Sequence, residues 1–340
     1  MVIQLEIDDF LQKAASSVLL DVRTPAEYDL GHLPDALNFP LFSNEERVIV
    51  GTLYKQKSPE IAFEQGLEFV GPKMAYWVRQ AKKQAKGGKP LCLYCWRGGK
   101  RSGSMAWLLD MAGFEVYLLV GGYKAYRNAF NELIEAHAWK FRILGGPTAC
   151  GKTHILHEMR NLGQQVLDLE GLANHKGSAF GSYGLGAQPS NESFYNLLHQ
   201  AFRQFDATKV IWCEGESMTI GKVNIPIDLF NLLQESPLFL FSIPMELRLV
   251  RILAEYGQLP KNQLIEAFSK IQKRLGREQC AQAIQYIEED NLADAARIAL
   301  KYYDKGYRKS IEKRTGSLII PYESPVDQTL ENAKKLIALL

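Results

Sequence analysis

Hydrophobic positions along the chain cluster in short continuous runs, separated by longer stretches with helical spacing. Three such runs fall within the first 136 residues, namely "SVLLDVR" (17–23), "KPLCLYC" (89–95) and "FEVYLLVGG" (114–122). A continuous apolar run of this length is typical of a strand covered on both faces of a parallel sheet. The segment 102–112 between the last two runs has helical spacing. Strands that alternate with helices predict an α/β unit with a parallel sheet.

A second series of apolar runs comprises "WKFRILGG" (139–146), "QQVLDLEG" (164–171), "KVIWCEGES" (209–217) and "SPLFLFSIP" (236–244). Beyond residue 244 the spacing is helical, until a short run "GSLIIPYE" (316–323) and a last amphipathic helix over 327–340. A predicted helix over 122–138 joins the two series. We therefore predict an α/β fold with two domains, 1–136 and 137–340, each built on a parallel sheet, with a helical C-terminal part in the second.

The composition is that of a soluble globular protein, with 46% hydrophobic and 23% charged residues among 340. No apolar run reaches the roughly 18–20 residues that a membrane span needs. The N-terminus lacks the basic-then-apolar layout of a signal peptide, so we expect a cytoplasmic protein that makes no membrane contact and keeps its five cysteines reduced. A net charge of +2 neither requires nor excludes a nucleic-acid partner.

Cys95 ends the second apolar run and stands directly before a loop rich in glycine and cations. The loop contains Arg97, Gly98, Gly99, Lys100 and Arg101. Glycines let the backbone turn several amides toward one point, and nearby cations attract anions and favour the thiolate form of a cysteine. The pattern therefore predicts a catalytic Cys95 at the base of an oxyanion site, with a structural cysteine as the alternative. Cys92 completes a C-x-x-C, but in a strand the two side chains point to opposite faces, which assigns Cys92 to the core.

The segment "GGPTACGKT" (145–153) contains the G-x-x-x-x-G-K-T pattern of a phosphate-binding loop, at Gly146, Gly151, Lys152 and Thr153. It follows a predicted strand and precedes a predicted helix, which is the context that the pattern requires. In such a loop the amides surround a diphosphate, the lysine reaches its oxygens and the threonine hydroxyl can bind Mg²⁺. The pattern predicts a diphosphate site without identifying what the diphosphate is attached to.

Acidic residues end two strands of the second series: Asp168 and Glu170 in one, Glu214 and Glu216 in the other. Because the carboxyl ends of parallel strands meet at one edge of a sheet, either pair is a candidate for Mg²⁺ binding or substrate positioning. Ordinary acids at the rim of the sheet are an equally good interpretation. No other metal-ligand cluster is predicted.

Two further segments make the first domain similar to the rhodanese (sulfurtransferase) family. "DVRTPAEYDLGHLPDALNFP" (21–40) resembles its N-terminal signature, and "LLVGGYKAY" (118–126) resembles its closing strand. The resemblance implies a persulfide-like adduct of sulfur or selenium on Cys95. Five residues separate Cys95 from Arg101, one more than in the usual sulfurtransferase loop, and phosphatase relatives share this longer form. An added residue widens the ring of amides, so we expect an anion of phosphate size.

The whole chain resembles the bacterial tRNA 2-selenouridine synthase family, in which a rhodanese domain is fused to a P-loop domain. Beyond the two loops, the resemblance rests on "GTLYKQKSPEIAFEQG" (51–66), "NHKGSAFG" (174–181) and "CEGESMTIGKVNIP" (213–226). It implies a transferase that replaces sulfur with selenium in the wobble 2-thiouridine of tRNA. It further implies selenophosphate as selenium donor, and an S-prenyl intermediate made from geranyl diphosphate.

The resemblance also implies a tRNA partner, bound through its anticodon stem-loop. Three segments interleave Lys and Arg with aromatic or apolar residues: 74–89, 273–280 and 302–314. Cations supply salt-sensitive phosphate contacts, and aromatic rings stack unpaired bases. Each segment is equally a solvated helix face. The enzyme that produces selenophosphate is a further candidate partner.

The alternative function is a rhodanese-like phosphatase or sulfurtransferase coupled to a small-molecule kinase. The longer cysteine loop favours it. So does "SIPMELRLVRIL" (242–253), which resembles a segment of small-molecule P-loop kinases and offers Arg248 or Arg251 to a phosphate. Co-purifying tRNA would exclude a purely metabolic enzyme.

Overall fold

The chain folds as two α/β units, each around its own five-stranded parallel sheet. The computed structural model describes residues 1–178, 180–314 and 317–339. Unit 1 comprises Met1–Ala136 and Tyr195–Gln200, and unit 2 comprises His137–Phe194 and Ala201–Leu340. The predicted α/β class, with parallel sheets and a helical C-terminal part, is confirmed.

The sheet of unit 1 has the strand order β1-β5-β4-β2-β3, and all of its pairs are parallel. Its strands are β1 (Ile3–Leu5), β2 (Val18–Asp21), β3 (Leu37–Asn38), β4 (Leu91–Tyr94) and β5 (Val116–Leu119). Every residue of the central strand β4 is buried, because helices cover both faces of the sheet. This explains why the sequence of β4 is continuously apolar.

Three helices of unit 1 begin at side chains that accept hydrogen bonds from their first amides. Thr24 and Ser43 each form a reciprocal capping pair with a glutamate three residues later, and Ser58 accepts from the amide of Ile61. The helices are α1 (Ile7–Ala14), α2 (Pro25–Leu30), α3 (Asn44–Gln56), α4 (Pro59–Val70), α5 (Met74–Gln84), α6 (Lys100–Met111) and α7 (Gly122–Glu135), with a 3₁₀ turn at Gly71–Lys73.

Two apolar clusters hold this sheet, one on each face. One includes Leu93, Met105 and Trp77, and the other includes Tyr94 and Phe10. Adjacent residues of β4 therefore serve opposite clusters, as the alternation of side chains in a strand requires. The core assignment of Cys92 is confirmed, since its side chain is fully buried.

The sheet of unit 2 has the order β12-β11-β6-β8-β7, again with parallel pairs throughout. Its strands are β6 (Lys140–Gly145), β7 (Gln165–Leu167), β8 (Val210–Glu214), β11 (Leu238–Ser242) and β12 (Ile319–Glu323), and a separate antiparallel pair is formed by β9 (Thr219–Ile220) and β10 (Val223–Asn224). The central strand β6 leads into the segment 145–153, so the predicted strand–loop–helix context is confirmed.

The helices of unit 2 cover its sheet and build the helical C-terminal part. They are α8 (Lys152–Asn161), α9 (Leu169–Ala173), α11 (Ile227–Glu235), α12 (Met245–Tyr256), α13 (Lys261–Leu275), α14 (Arg277–Glu288), α15 (Leu292–Glu312) and α16 (Thr329–Ala338), while α10 (Asn191–Phe202) carries residues of both units. Helices α13, α14 and α15 share an apolar cluster that also includes Phe180. No helix in the described ranges is both long and apolar enough to cross a membrane.

Element boundaries differ from the prediction by a few residues. Helix α6 starts at Lys100, two residues before the predicted start, and α7 ends at Glu135 rather than at residue 138. Helices α3 and α4 were not predicted, whereas α5 falls within the segment 74–89, for which a solvated helix face was one of the two interpretations. Part of the predicted run 316–323 lies outside the described residues.

A buried ion pair joins the end of β2 to the loop after α2. Arg23 donates to both carboxylate oxygens of Asp21, at 2.6 Å for the closest contact, and to the carbonyl of Gly31 at 2.6 Å. The guanidinium carbon lies 3.9 Å from the ring centre of Tyr123. Both charged side chains are nearly inaccessible to water, at 1% and 0% exposure, so each depends on the other to remain charged.

Replacing Arg23 with Ala should therefore destabilise unit 1 by about 3–5 kcal/mol, because Asp21 would remain buried without its partner. Urea denaturation monitored by circular dichroism measures this loss. Lys13→Ala, which removes a partly exposed cation beside Glu115, should leave the urea midpoint nearly unchanged. Equal midpoints for both variants would contradict the structural role of the buried pair.

Candidate functional site

The first candidate site is the loop between β4 and α6, with Cys95 at its base. Cys95 follows the last residue of β4 and is 3% exposed. The hydroxyl of Ser102, in the first turn of α6, donates to the Cys95 Sγ at 3.1 Å. No sequence motif identified Ser102 as a partner of Cys95. The two residues are seven positions apart, and only the first turn of α6 brings the hydroxyl to the sulfur.

Backbone packing fixes the shape of this loop. Gly98 has a φ of +66°, and the amides of Tyr123 and Lys124 donate to the carbonyls of Cys95 and Trp96 at 2.8 and 3.0 Å. A Cβ at Gly122 would overlap the carbonyl oxygen of Cys95, so only glycine allows α7 to approach this closely. The amides of residues 97–99 donate to no acceptor in the described part of the chain, and α6 begins without a side-chain cap. These groups form a cradle suited to an anion.

The three cations of the loop are placed differently from one another. Arg97 is exposed, and the Lys100 Nζ lies 4.7 Å from the ring centre of Phe63. Arg101 donates to both oxygens of Glu27, at 2.5 and 3.1 Å. Burial raises the pKa of Glu27, but the hydrogen bonds from Arg101 outweigh burial and lower it overall. Glu27 lies within the rhodanese-like segment 21–40, and that resemblance was the only sequence feature that pointed to the region from which the partner of Arg101 comes.

The second candidate site is the phosphate loop between β6 and α8. Positive φ values of 62° at Ala149 and 93° at Gly151 curl the backbone, and α8 begins at Lys152 without a side-chain cap. The Lys152 Nζ donates to the carbonyl of Gly146 at 3.0 Å. Cys150, inside the loop, is buried in the apolar cluster, and burial raises the pKa of its thiol. Lys152 and the uncapped helix start therefore supply positive charge at the loop, while Cys150 packs in the core.

Tyr307, on α15, contacts the phosphate loop although the two are far apart in the sequence. The Gly146 amide donates to the Tyr307 hydroxyl at 2.6 Å, so one amide of the loop already faces an oxygen. Burial raises the pKa of Tyr307, which keeps the hydroxyl protonated. No sequence pattern pointed to Tyr307, because α15 and the loop meet only in the folded chain.

The four predicted acids reach the phosphate loop to different extents. The Thr153 hydroxyl donates to Glu170 at 3.0 Å, and the Glu170 amide donates to Glu214 at 2.6 Å. Glu216 lines the same cleft as Lys152 and Glu170. Asp168 instead caps α9 through the Gly171 amide at 2.8 Å and contacts His157 at 3.2 Å. Glu170 therefore lies beside Thr153, Glu214 holds the backbone of Glu170, and Asp168 lines the cleft while it caps α9.

Burial controls the charge of this acidic group. Burial raises the pKa of Glu216 to about 7, with a further contribution from Glu170. Burial raises the pKa of Glu214 well above its usual range, and one of its oxygens has no hydrogen-bond partner among the described residues. Burial lowers the pKa of Lys152, but its neighbours, including Glu216 and Glu170, outweigh burial and raise it. Lys152 therefore remains a cation among acidic side chains whose burial favours their neutral form.

A cleft of about 1690 Å³ in unit 2 connects the phosphate loop, these acids and α15. Its basic lining residues on the C-terminal helices and just beyond α15 are Arg274, Lys305, Lys309, Lys313 and Arg314. Arg248 and Arg251 connect neighbouring segments beside the cleft through hydrogen bonds. Arg248 donates to the Thr148 carbonyl at 2.9 Å and pairs with Asp304, and Arg251 pairs with Asp327 at 2.5 Å. The cleft therefore has cations along one side and acids near the loop.

The residues beside the phosphate loop fit a magnesium ion. Mg²⁺ usually takes one or two protein oxygens together with substrate phosphate oxygens and water. Thr153 and Glu170 present adjacent oxygens, and acids with raised pKa values bind a proton or a cation readily. The described residues contain no group of three or more His, Cys, Asp or Glu side chains arranged to hold a metal by themselves. A metal here would depend on the phosphate ligand.

Both halves of the chain match known protein families. The family described as "tRNA 2-selenouridine synthase AAA domain" matches residues 139–334, and the rhodanese-like domain family matches residues 6–129. The tRNA 2-selenouridine synthase of Hydrogenovibrio crunogenus is 33% identical over 345 residues, covering 90% of this chain and 93% of that protein. The enzyme of the same name from Marinobacter nauticus is 33% identical over 355 residues, covering 93% of this chain and 94% of that protein.

The resemblance drawn from the two loops is thereby confirmed over nearly the whole length of the chain, and in both units. The chain belongs to the tRNA 2-selenouridine synthase family.

Proposed function

We propose that this protein modifies tRNA by replacing the sulfur of wobble 2-thiouridine with selenium, through an S-geranyl intermediate. The observation that carries this proposal is the presence of two separate anion-binding loops in one chain, one with a thiol at its base and one with a lysine. A two-step exchange needs both: one site for the diphosphate of a prenyl donor and one for selenophosphate. The related enzymes named for this product support the tRNA substrate.

The first step is alkylation of the thiocarbonyl sulfur in unit 2. The sulfur attacks C1 of geranyl diphosphate, a C–S bond forms, the C1–O bond breaks, and diphosphate leaves with the electron pair while N3 of the base loses its proton. Negative charge therefore grows on the diphosphate oxygens. Lys152 and the amides at the start of α8 stabilise that charge. A magnesium ion bound by Thr153 and Glu170 would add Lewis-acid stabilisation of the same oxygens.

The second step replaces the alkylated sulfur. Selenium bonds to C2 of the base, and the geranyl sulfur takes a proton and leaves as a thiol. An alkylated sulfur leaves readily in this way, whereas a thiocarbonyl sulfur is a poor leaving group. This chemical difference is the reason for the prenylation step.

The bonds that form and break decide which atom of selenophosphate the Cys95 thiolate would attack. A thiolate that attacked selenium in selenophosphate would expel phosphite, so phosphorus would be reduced by two electrons while the sulfur and selenium of the new S–Se bond are oxidised. A thiolate that attacks phosphorus forms an S–P bond, breaks the P–Se bond and releases hydroselenide without any redox change. Water then hydrolyses the cysteinyl phosphate. We therefore propose attack at phosphorus, rather than the chalcogen adduct on Cys95 that the rhodanese resemblance implies. The amides of residues 97–99 would bind the phosphate oxygens.

Cations on α15 and directly after it would bind the phosphates of the tRNA beside the phosphate loop. Lys305, Lys309 and Lys313 recur at four-residue spacing and line the cleft, together with Tyr302. This spacing places them along one face of the helix. Phosphate contacts from such a row position an RNA without reading its sequence, and the aromatic ring is available to stack on an unpaired base.

Cys95→Ala should abolish selenation while S-geranyl-2-thiouridine accumulates, because prenylation uses the other unit. Nucleoside mass spectrometry of tRNA after incubation with geranyl diphosphate and selenophosphate measures both products. Cys92→Ala is the matched control and should retain selenation, since Cys92 is a core residue. Normal selenouridine formation in the Cys95 variant would contradict the assignment, and loss in both variants would favour a C-x-x-C pair.

Lys152→Ala should reduce geranylation by about 10²–10³-fold, because one stabilising charge on the leaving diphosphate is lost. Selenation of 2-thiouridine would fall with it, whereas tRNA that is already S-geranylated should be selenated at the normal rate. The exposed Lys209→Ala serves as control and should leave both reactions unchanged. Equal failure on both substrates, or a requirement of the wild type for ATP, would favour the kinase alternative.

Without divalent cations, pyrophosphate binding should depend on Glu216. This carboxyl is neutral below its pKa of about 7 and negative above it, so its charge opposes an anion only at the higher pH. Titration calorimetry of Glu216→Gln and wild type should give similar affinities well below pH 7. Well above it, the variant should bind on the order of tenfold more tightly. Pyrophosphate itself changes its protonation with pH, but it does so equally for both proteins, so the ratio of the two affinities reports on Glu216. An affinity ratio that does not change with pH would refute this role.

A further inference from the structure

A second, apolar cavity lies in the helical part of unit 2, next to the phosphate loop. Its volume is about 50 Å³. Its walls come from helices α12 to α15 and from Phe180 of the segment 177–189. The side chains that form the wall away from the loop are Leu264, Phe268, Ile287, Leu292, Ala295 and Ala299.

The cavity wall is almost entirely hydrocarbon. Phe180 packs edge-on against Tyr256 and Phe268, with ring centres 6.0 and 5.6 Å apart. The polar side chains in the lining are hydroxyl groups, on Thr148, Ser178, Tyr256 and Tyr303. A purine base buried here would lose hydrogen bonds to water and find few replacements, which costs free energy. The lining therefore suits a hydrocarbon ligand and disfavours a nucleotide base.

The cavity and the large cleft share part of their walls. Thr148, Ser178, Ile252, Tyr256 and Tyr303 line both. Thr148 belongs to the phosphate loop itself, so the apolar cavity starts beside the residues that surround a diphosphate. One ligand with an anionic head in the loop and an apolar tail would occupy both spaces.

We propose that this cavity, which we call the tail slot, binds the isoprenyl chain of the diphosphate substrate. The proposal rests on the proposed function, because it places the rest of the same substrate. The slot is small, at about 50 Å³, so it has room only for the end of a short chain, which we assign to the terminal isoprene unit. Phe180 forms one wall of the slot, so this side chain would contribute directly to substrate selection.

The slot predicts a limit on chain length. Affinity should rise from dimethylallyl to geranyl diphosphate, because the second isoprene unit enters the slot. It should not rise further for farnesyl diphosphate, whose third unit finds no room. Isothermal titration of the full-length protein with these three ligands and with inorganic pyrophosphate measures the series.

Ala296→Phe tests the slot directly, since Ala296 is half-buried and lines it. The larger side chain should weaken geranyl diphosphate binding by about tenfold or more, because the tail loses its apolar contacts. Pyrophosphate binding should be unchanged, which also shows that the variant is folded. Ala293→Phe is the matched control: Ala293 is half-buried on the same helix, does not line the slot and should bind both ligands normally.

The outcomes separate this proposal from the proposed function. If geranyl diphosphate binds the wild type more tightly than pyrophosphate, but Ala296→Phe binds it equally well, the tail lies elsewhere and the slot proposal is wrong. If the affinity increases steadily through farnesyl diphosphate, the slot does not limit the chain and the proposal is also wrong. If Lys152→Ala leaves pyrophosphate binding unchanged, the diphosphate site itself is misassigned and the proposed function fails.

Discussion

Close approach of one backbone segment to another is the constraint on which both loops depend. In unit 1, the start of α7 packs so tightly against the cysteine loop that Gly122 has no room for a side chain. In unit 2, a Cβ at Gly146 would lie 2.7 Å from the Cys150 sulfur and would overlap the carbonyl oxygen of Phe241. These contacts leave each loop backbone little freedom to change conformation.

Electrostatic balance distinguishes the two loops once their backbones are fixed. The cysteine loop has its cations at the rim, where Arg101 is already held by Glu27. The phosphate loop has Lys152 beside Glu170 and Glu216, whose pKa values are raised mainly by burial. Burial favours the neutral form of both carboxyls, which reduces the repulsion that a diphosphate would meet beside Lys152.

Polar and apolar recognition are separated in unit 2. The cleft carries the charges, and the tail slot carries the hydrocarbon contacts, with Thr148 common to both. The proposed prenyl diphosphate has the same division of chemistry, with one charged end and one apolar end. Under that proposal, the helical C-terminal part would let the protein prefer one diphosphate over another.

The sequence by itself determined the parts of this protein that depend on neighbouring residues. Continuous apolar runs specified buried parallel strands, and Cys95 with its glycines and the segment 145–153 specified two loops between a strand and a helix, because each motif is local in the chain. Only the tertiary structure decided the partners that lie far away in sequence. Tyr307 meets the Gly146 amide across 161 positions, and Arg101 meets Glu27 across 74. The tail slot likewise exists only where four helices and Phe180 converge, because a cavity is a property of packed surfaces, and no single segment encodes it.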